Sequence, residues 1–220
     1  MTGSVQRIAV LGAGHVGPVI ARIALDAGFH VAIAGSGSPE KIELMTQFVT
    51  PGAEPRWVAD AVRGADIVVL AIPLHKFATF DRALVADKLV VDAMNYWPAA
   101  DGVQAMFEDR LVSSSEVVQG RLPRSIVVKA LNHIGYQDLE DARGPAGSPE
   151  RRAIGVAGDD SRAVQSVEDF IERTGYDVVR LDSLSAGRVL EPGGPVFGAL
   201  LSRSKFEQAV GVAPAGVTSK

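Results

Sequence analysis

Six consecutive residues, Gly12-Ala13-Gly14-His15-Val16-Gly17, have the types and spacing to hold a phosphorylated ligand. In a G-x-G-x-x-G the first glycine permits a tight turn and the second lets backbone approach a pyrophosphate. The third lets a helix pack closely on a strand. Ordinary turns also use glycines, so the flanking residues decide. Arg7-Ile8-Ala9-Val10-Leu11 is a short apolar run, as in a parallel strand covered on both faces. After the glycines, Pro18 suits a first helical turn, and Val16, Val19, Ile20, Ile23, Ala24 and Ala27 recur at helical spacing. Gly28 ends that helix before a second strand, His30 to Ala34. A strand, glycine turn, helix and strand in this order place the pyrophosphate of a dinucleotide at the helix N-terminus. Free N–H groups and the helix dipole favour an anion there.

The end of the second strand selects the cofactor. An Asp or Glu at that point bonds the ribose 2′-hydroxyl of NAD and repels a 2′-phosphate. This chain has Gly35-Ser36-Gly37-Ser38 instead, with Lys41 one turn into the helix begun by Ser38 and Pro39. Ser36, Gly37, Ser38 and Lys41 therefore favour NADP over NAD, with Glu40 acting mildly against an anion.

Ligands in open α/β sheets bind outside the carboxyl ends of the strands. Ala65 to Pro73 is a buried strand, so Ile72 and Pro73 are expected to line the nucleotide cleft, with His75 either touching it or lying on a surface loop. Lys88 to Ala93 is the next strand, followed by Asn95, Tyr96 and Trp97, which either grip a flat ring or pack the loop. Asn132, His133 and Ile134 leave the strand Ser125 to Leu131 on the same side and are expected to meet the second reactant.

Helices are expected at Pro39–Val49, Val58–Arg63, Phe77–Val85, from Ser113-Ser114-Ser115-Glu116, at Asp160–Thr174, Ser185–Leu190 and Val196–Val210. Further strands are expected at Ala153–Gly158 and Tyr176–Leu181, with loops at Thr50–Pro55 and Asp138–Arg152 and a tail at Pro214–Lys220. The 220 residues suit one domain with a small appendage, and 47% apolar content supports a core. A net charge of −4 argues against nucleic acid or an anionic membrane as partner. Without cysteine there is no disulfide, thiolate metal site or cysteine nucleophile. The short lead before the first strand and the lack of a long apolar run predict neither a signal peptide nor a membrane span, hence a cytoplasmic protein.

The four histidines are scattered, so no metal constellation is expected, and no G-x-S-x-G nucleophile turn is present. No catalytic acid or base stands out. Hydride transfer between two stacked rings needs little more than orientation, because the cofactors supply the chemistry.

The segments GAGHVG, GSGSPEK, LAIP, VVKALNHIG, GVAGDD and GRVLEPGGP together resemble the NADP oxidoreductases that use the deazaflavin coenzyme F420. The reductase domain of STEAP-type metalloreductases is similar as well. The resemblance implies a 2′-phosphate held at Ser36 and Lys41, although Gly37 stands where the family usually has arginine. Asn132 stands where archaeal members carry a histidine, as in the STEAP-type pattern. It also implies a second ring opposite the nicotinamide, closed by C-terminal segments, in a homodimer.

The expected architecture is α/β, a doubly wound and mainly parallel sheet of the Rossmann type. A nucleotide-binding domain over residues 1–182 carries a small helical extension, 183–220, packed on it. The expected function is hydride transfer between NADP(H) and F420. The alternatives are reduction of a flavin, a quinone or another small acceptor, or NADP sensing without catalysis.

Overall fold

The computed structural model describes residues 5–109, 111–149 and 151–212. The opening unit forms as its pattern dictates: β1 (Arg7–Leu11), α1 (Val16–Asp26) and β2 (His30–Ala34). There follow α2 (Glu40–Val49), a two-residue strand β3 (Glu54–Pro55), α3 (Val58–Arg63) and β4 (Ile67–Leu70). Next come α4 (Leu74–Phe77), a 3-10 turn at Arg82–Val85, β5 (Leu89–Asp92), α5 (Pro98–Asp101), a 3-10 turn at Ala105–Phe107, and α6 (Ser114–Arg121). The chain continues through β6 (Ile126–Lys129), β7 (Ala153–Gly158), α7 (Ser161–Arg173) and β8 (Asp177–Leu181). It closes with a 3-10 segment at Ser185–Leu190 and α8 (Arg203–Val210).

The strands form one sheet in the order β3-β2-β1-β4-β5-β6-β7-β8. All pairings are parallel except β6 with β7. Among the described residues the link from β6 to β7 contains no crossover helix, and an antiparallel return needs none. Chain order reverses between β1 and β4, which sets the crevice for a ligand above their carboxyl ends.

Both sheet faces are covered. On one, α1 and α7 supply Ile20, Ile23, Val167 and Phe170; on the other, α3, α4 and α6 supply Val62, Phe77 and Val118. This double cover is why the central strands read as continuous apolar runs. Local caps fix the helix starts. Ser113 and Glu116 form a capping box on α6, and the Asp160 carboxylate accepts from the N–H groups of Arg162 and Ala163 at the start of α7.

A third cluster joins β7 and β8 to Leu190, Val196 and Phe206. It depends on Gly155, where an added Cβ would stand 2.4 Å from Leu190 Cδ2 and 2.8 Å from Phe206 Cζ. The expected tail Pro214–Lys220 lies outside the described residues.

Three expectations are corrected. Phe77–Val85 is not one helix: the Asp81 side chain accepts from Ala83 N–H at 3.0 Å and starts a fresh turn, so the chain breaks between α4 and Arg82–Val85. Val196–Val210 is helical only from Arg203, because Gly198 turns left-handed (φ +75°) and its N–H is held by the His133 carbonyl at 2.7 Å. The Thr50–Pro55 loop ends in β3, paired with β2.

Candidate active site at the carboxyl ends of the strands

The three glycines of the first turn do different work. Gly12 has φ +129°, and an added Cβ there would stand 2.2 Å from the Ala71 carbonyl oxygen. At Gly17 it would stand 1.8 Å from the Gly12 oxygen. The chain's own packing therefore demands both. At Gly14 an added Cβ meets no heavy atom of the described residues within 4 Å beyond its chain neighbours, and the residue is exposed beside the N-terminus of α1. Ala13, His15 and Val16 complete the turn, with the His15 ring stacked on Tyr136 at 5.3 Å between centroids. Open backbone at a helix start suits a pyrophosphate.

On the β2 side, Ser36 is exposed and the Lys41 side chain folds back over Gly37. A Cβ at Gly37 would lie 3.3 Å from Lys41 Nζ, so the ammonium occupies space that a larger residue at 37 would contest. The Ser38 hydroxyl donates to the Glu40 carboxylate and lowers its pKa, leaving Ser36 and Lys41 as the freer groups.

On the β4 side, the Ala71 N–H donates to the Leu11 carbonyl, which holds the strand exit against the glycine turn. Ile72 is half-buried and Pro73 exposed there. The imidazole of His75 is tied to Asp101 from the β5 exit, Nδ1 to Oδ1 at 2.9 Å. Asp101 also accepts from the backbone N–H groups of His75 and Trp97. Burial alone would raise the Asp101 pKa; the Trp97 N–H and the His75 imidazole outweigh it and hold the carboxyl below its usual value.

Beyond β5, half-buried Asn95 donates from Nδ2 to the Asn132 carbonyl at 2.8 Å. Asn132 Nδ2 returns a bond to Asn95 Oδ1 at 3.0 Å and a second to the Leu190 carbonyl at 2.7 Å. This crossing follows Leu131, whose φ of +63° is costly for a branched side chain. Asn132, His133 and Ile134 are all buried, which their sequence positions did not predict. His133 Nε2 accepts from Gly155 N–H at 3.2 Å, its ring meets Phe206 edge-on, and burial pushes its pKa down to about 4. It is a neutral core imidazole. Asn132 Oδ1 is buried with no hydrogen-bond partner among the described residues.

Two charged residues at the strand ends are not singled out by any motif. Asp92 and Lys129, fully buried at the ends of β5 and β6, face each other at 3.3 Å. Asp92 also accepts from Ser115 Oγ and Met94 N–H, and Lys129 donates to the Met94 carbonyl. The pair thus fixes the backbone entering Asn95. The signal was a charge inside each apolar strand, VVDA and VVKA. Among the described residues, no group of three or more His, Asp or Glu is gathered to hold a metal, and no helix is long and apolar enough to cross a membrane.

A doubly wound sheet with an open glycine turn at its switch point defines a dinucleotide-binding protein of the oxidoreductase class. Residues 7–96 match the model of the family described as NADP oxidoreductase, coenzyme F420-dependent. NADP-linked oxidoreduction is the chemistry of the class. Among solved structures, the hypothetical protein SMa0349 from Sinorhizobium meliloti is 27% identical, with a TM-score of 0.74 over 90% of this chain and 96% of that one. A candidate F420-dependent NADP reductase from Arthrobacter sp. FB24 is 26% identical, with a TM-score of 0.67 over 83% and 87%. An imine reductase from Pseudomonas sp., at 19% identity and a TM-score of 0.55 over 83% and 58%, shares the fold. No curated protein matches the chain.

Proposed function

We propose that this protein transfers hydride between NADP(H) and the deazaflavin coenzyme F420. The family match over the nucleotide-binding segment carries the reading. The residues present fit the nucleotide. Gly12, Ala13, Gly14, His15, Val16 and Gly17 offer the pyrophosphate turn, Ser36 and Lys41 a 2′-phosphate contact, and Ile72, Pro73 and Asn95 the walls on the nicotinamide side. Asn132 Oδ1, buried just past β6 without a partner among the described residues, leaves one acceptor at the strand exits for a carboxamide N–H. Bound NADPH supplies the hydride. The chain's task is to orient: Lys129 and Asp92 set the Asn95 backbone, and the Asn95–Asn132 exchange joins the β5 and β6 exits on which the second ring would rest.

On this reading Asn132 and Ile134 support the second ring from below, and the protein acts on small-molecule coenzymes in the cytoplasm as a homodimer. A second reading, reduction of a flavin or another small acceptor, is favoured by Asn132 standing where archaeal family members carry histidine. Steady-state assays with NADPH against oxidised F420, FMN and FAD separate the two. The first reading requires kcat/KM for F420 to exceed that for either flavin, and the reverse order would replace it.

A further inference from the structure

The reduction of a conjugated acceptor by NADPH takes up one hydride and one proton, and the cleft must provide for both. Of the histidines at the strand ends, His133 is buried against Gly155 and Phe206 and is neutral with a pKa of about 4. His15 lies on the glycine turn, stacked on Tyr136. His75 differs from both. Its Nδ1 is fixed by a buried carboxylate, Asp101, while its side chain stays 41% exposed. The carboxylate is itself over-determined by the N–H groups of His75 and Trp97, so it holds the imidazole rather than following it. The two residues come from the exits of β4 and β5, on the side of the switch point away from Ser36 and Lys41. A carboxylate that fixes one ring nitrogen leaves the other to exchange protons with a reactant.

We infer that His75, oriented by Asp101, is the general acid that protonates the acceptor as it is reduced. The inference rests on the proposed oxidoreductase reading and adds the class of acceptor: one whose heteroatom gains a proton when a ring or imine carbon gains hydride. The C4–H bond of NADPH breaks and a C–H bond forms on the acceptor. The acceptor's electron pair moves onto its conjugated nitrogen or oxygen, which takes the proton from Nε2 of the His75 imidazolium. The imidazole is left as the Nδ1–H form that Asp101 holds, and solvent recharges Nε2. In the opposite direction the same nitrogen accepts the proton.

Two measurements test this. The first needs no nucleotide: histidine side-chain 15N NMR of the free protein reports the neutral tautomer of His75. Nδ1–H is expected in the unmodified protein and a shift toward Nε2–H in Asp101→Asn. Nε2–H dominant in the unmodified protein would overturn the orientation. The second compares His75→Gln with the unmodified protein, using whichever of F420, FMN or FAD the latter reduces. The variant should lose about 100-fold in kcat, keep its NADPH Kd within twofold, show a larger solvent deuterium effect, and recover part of its rate with added imidazole. Unchanged kcat, or a loss traced to weaker NADPH binding, would overturn the proton role alone. An unmodified protein that reduces none of the three would overturn the oxidoreductase reading, and this inference with it.

Discussion

Asn95 and Asn132 trade amide hydrogen bonds across the exits of β5 and β6, Nδ2 to carbonyl at 2.8 Å in one direction and Nδ2 to Oδ1 at 3.0 Å in the other. Asn132 spends its second amide hydrogen on the Leu190 carbonyl and so also ties down the C-terminal segment. Asn132→Ala leaves the Leu190 carbonyl and Asn95 Oδ1 short of donors in buried surroundings. Loss of about 1–3 kcal/mol of stability is expected, read from denaturant midpoints, with slower turnover and a nearly unchanged NADPH Kd. A variant as stable as the parent would show that the crossing does not organise the floor.

The glycine turn separates binding from folding. Gly14→Val adds a Cβ that meets no heavy atom of the described residues within 4 Å beyond its chain neighbours, so the melting temperature should hold while NADPH affinity falls at least about tenfold, the pyrophosphate losing its approach to backbone. Gly17→Ala drives a methyl to 1.8 Å from the Gly12 oxygen and should destabilise the fold itself. Calorimetry and nucleotide titration on both variants check the contrast. Unchanged binding in Gly14→Val would remove the cofactor from this turn.

Lys41 is the group expected to discriminate the 2′-phosphate. The unmodified protein should bind NADPH more tightly than NADH, and Lys41→Ala should narrow the gap by about 0.5–2 kcal/mol for one charge-assisted contact. Gly37→Arg brings a second cation but crowds the lysine that now lies over position 37. Tighter binding of NADH by the unmodified protein would contradict the role given to Ser36 and Lys41.

His133 makes the fold acid-sensitive. Its pKa is about 4 in the folded protein against 6.5 for a free imidazole, so the unfolded chain binds the extra proton between those values. Stability from this residue is complete above pH 6.5 and is lost as pH falls toward 4, by about 3 kcal/mol in all. Urea unfolding from pH 7 to 4 should show that slope, and His133→Gln should flatten it. An equal slope in the variant would assign the acid sensitivity elsewhere.

The strand–turn–helix–strand unit was legible to the residue, since β1 and β2 fall at Arg7–Leu11 and His30–Ala34 as their apolar runs predict. Double cover by helices makes those runs continuous, and the glycines punctuate them. The breaks at Asp81 and Gly198 were not legible, because side-chain capping and a tertiary bond to the His133 carbonyl override helical periodicity. The position of Ile72, Pro73, His75 and Asn95 just past the carboxyl ends of β4 and β5 was legible from the strand pattern. The inward turn of Asn132, His133 and Ile134 depends on the left-handed Leu131 and on contacts with Gly155, Leu190 and Phe206, distant in sequence. The pairing of Asp101 with His75 was not legible because 26 residues separate them.

Direct passage of hydride from nicotinamide to deazaflavin is the centre of this account, and isotope tracing tests it in a single turnover. Under anaerobic conditions the protein is mixed with oxidised F420 and NADPH carrying deuterium at the transferred C4 position. Both absorbances should fall together, and the deuterium should appear in the reduced deazaflavin by mass spectrometry. NADPH left unoxidised, or deuterium lost to solvent while F420 is reduced, would contradict it.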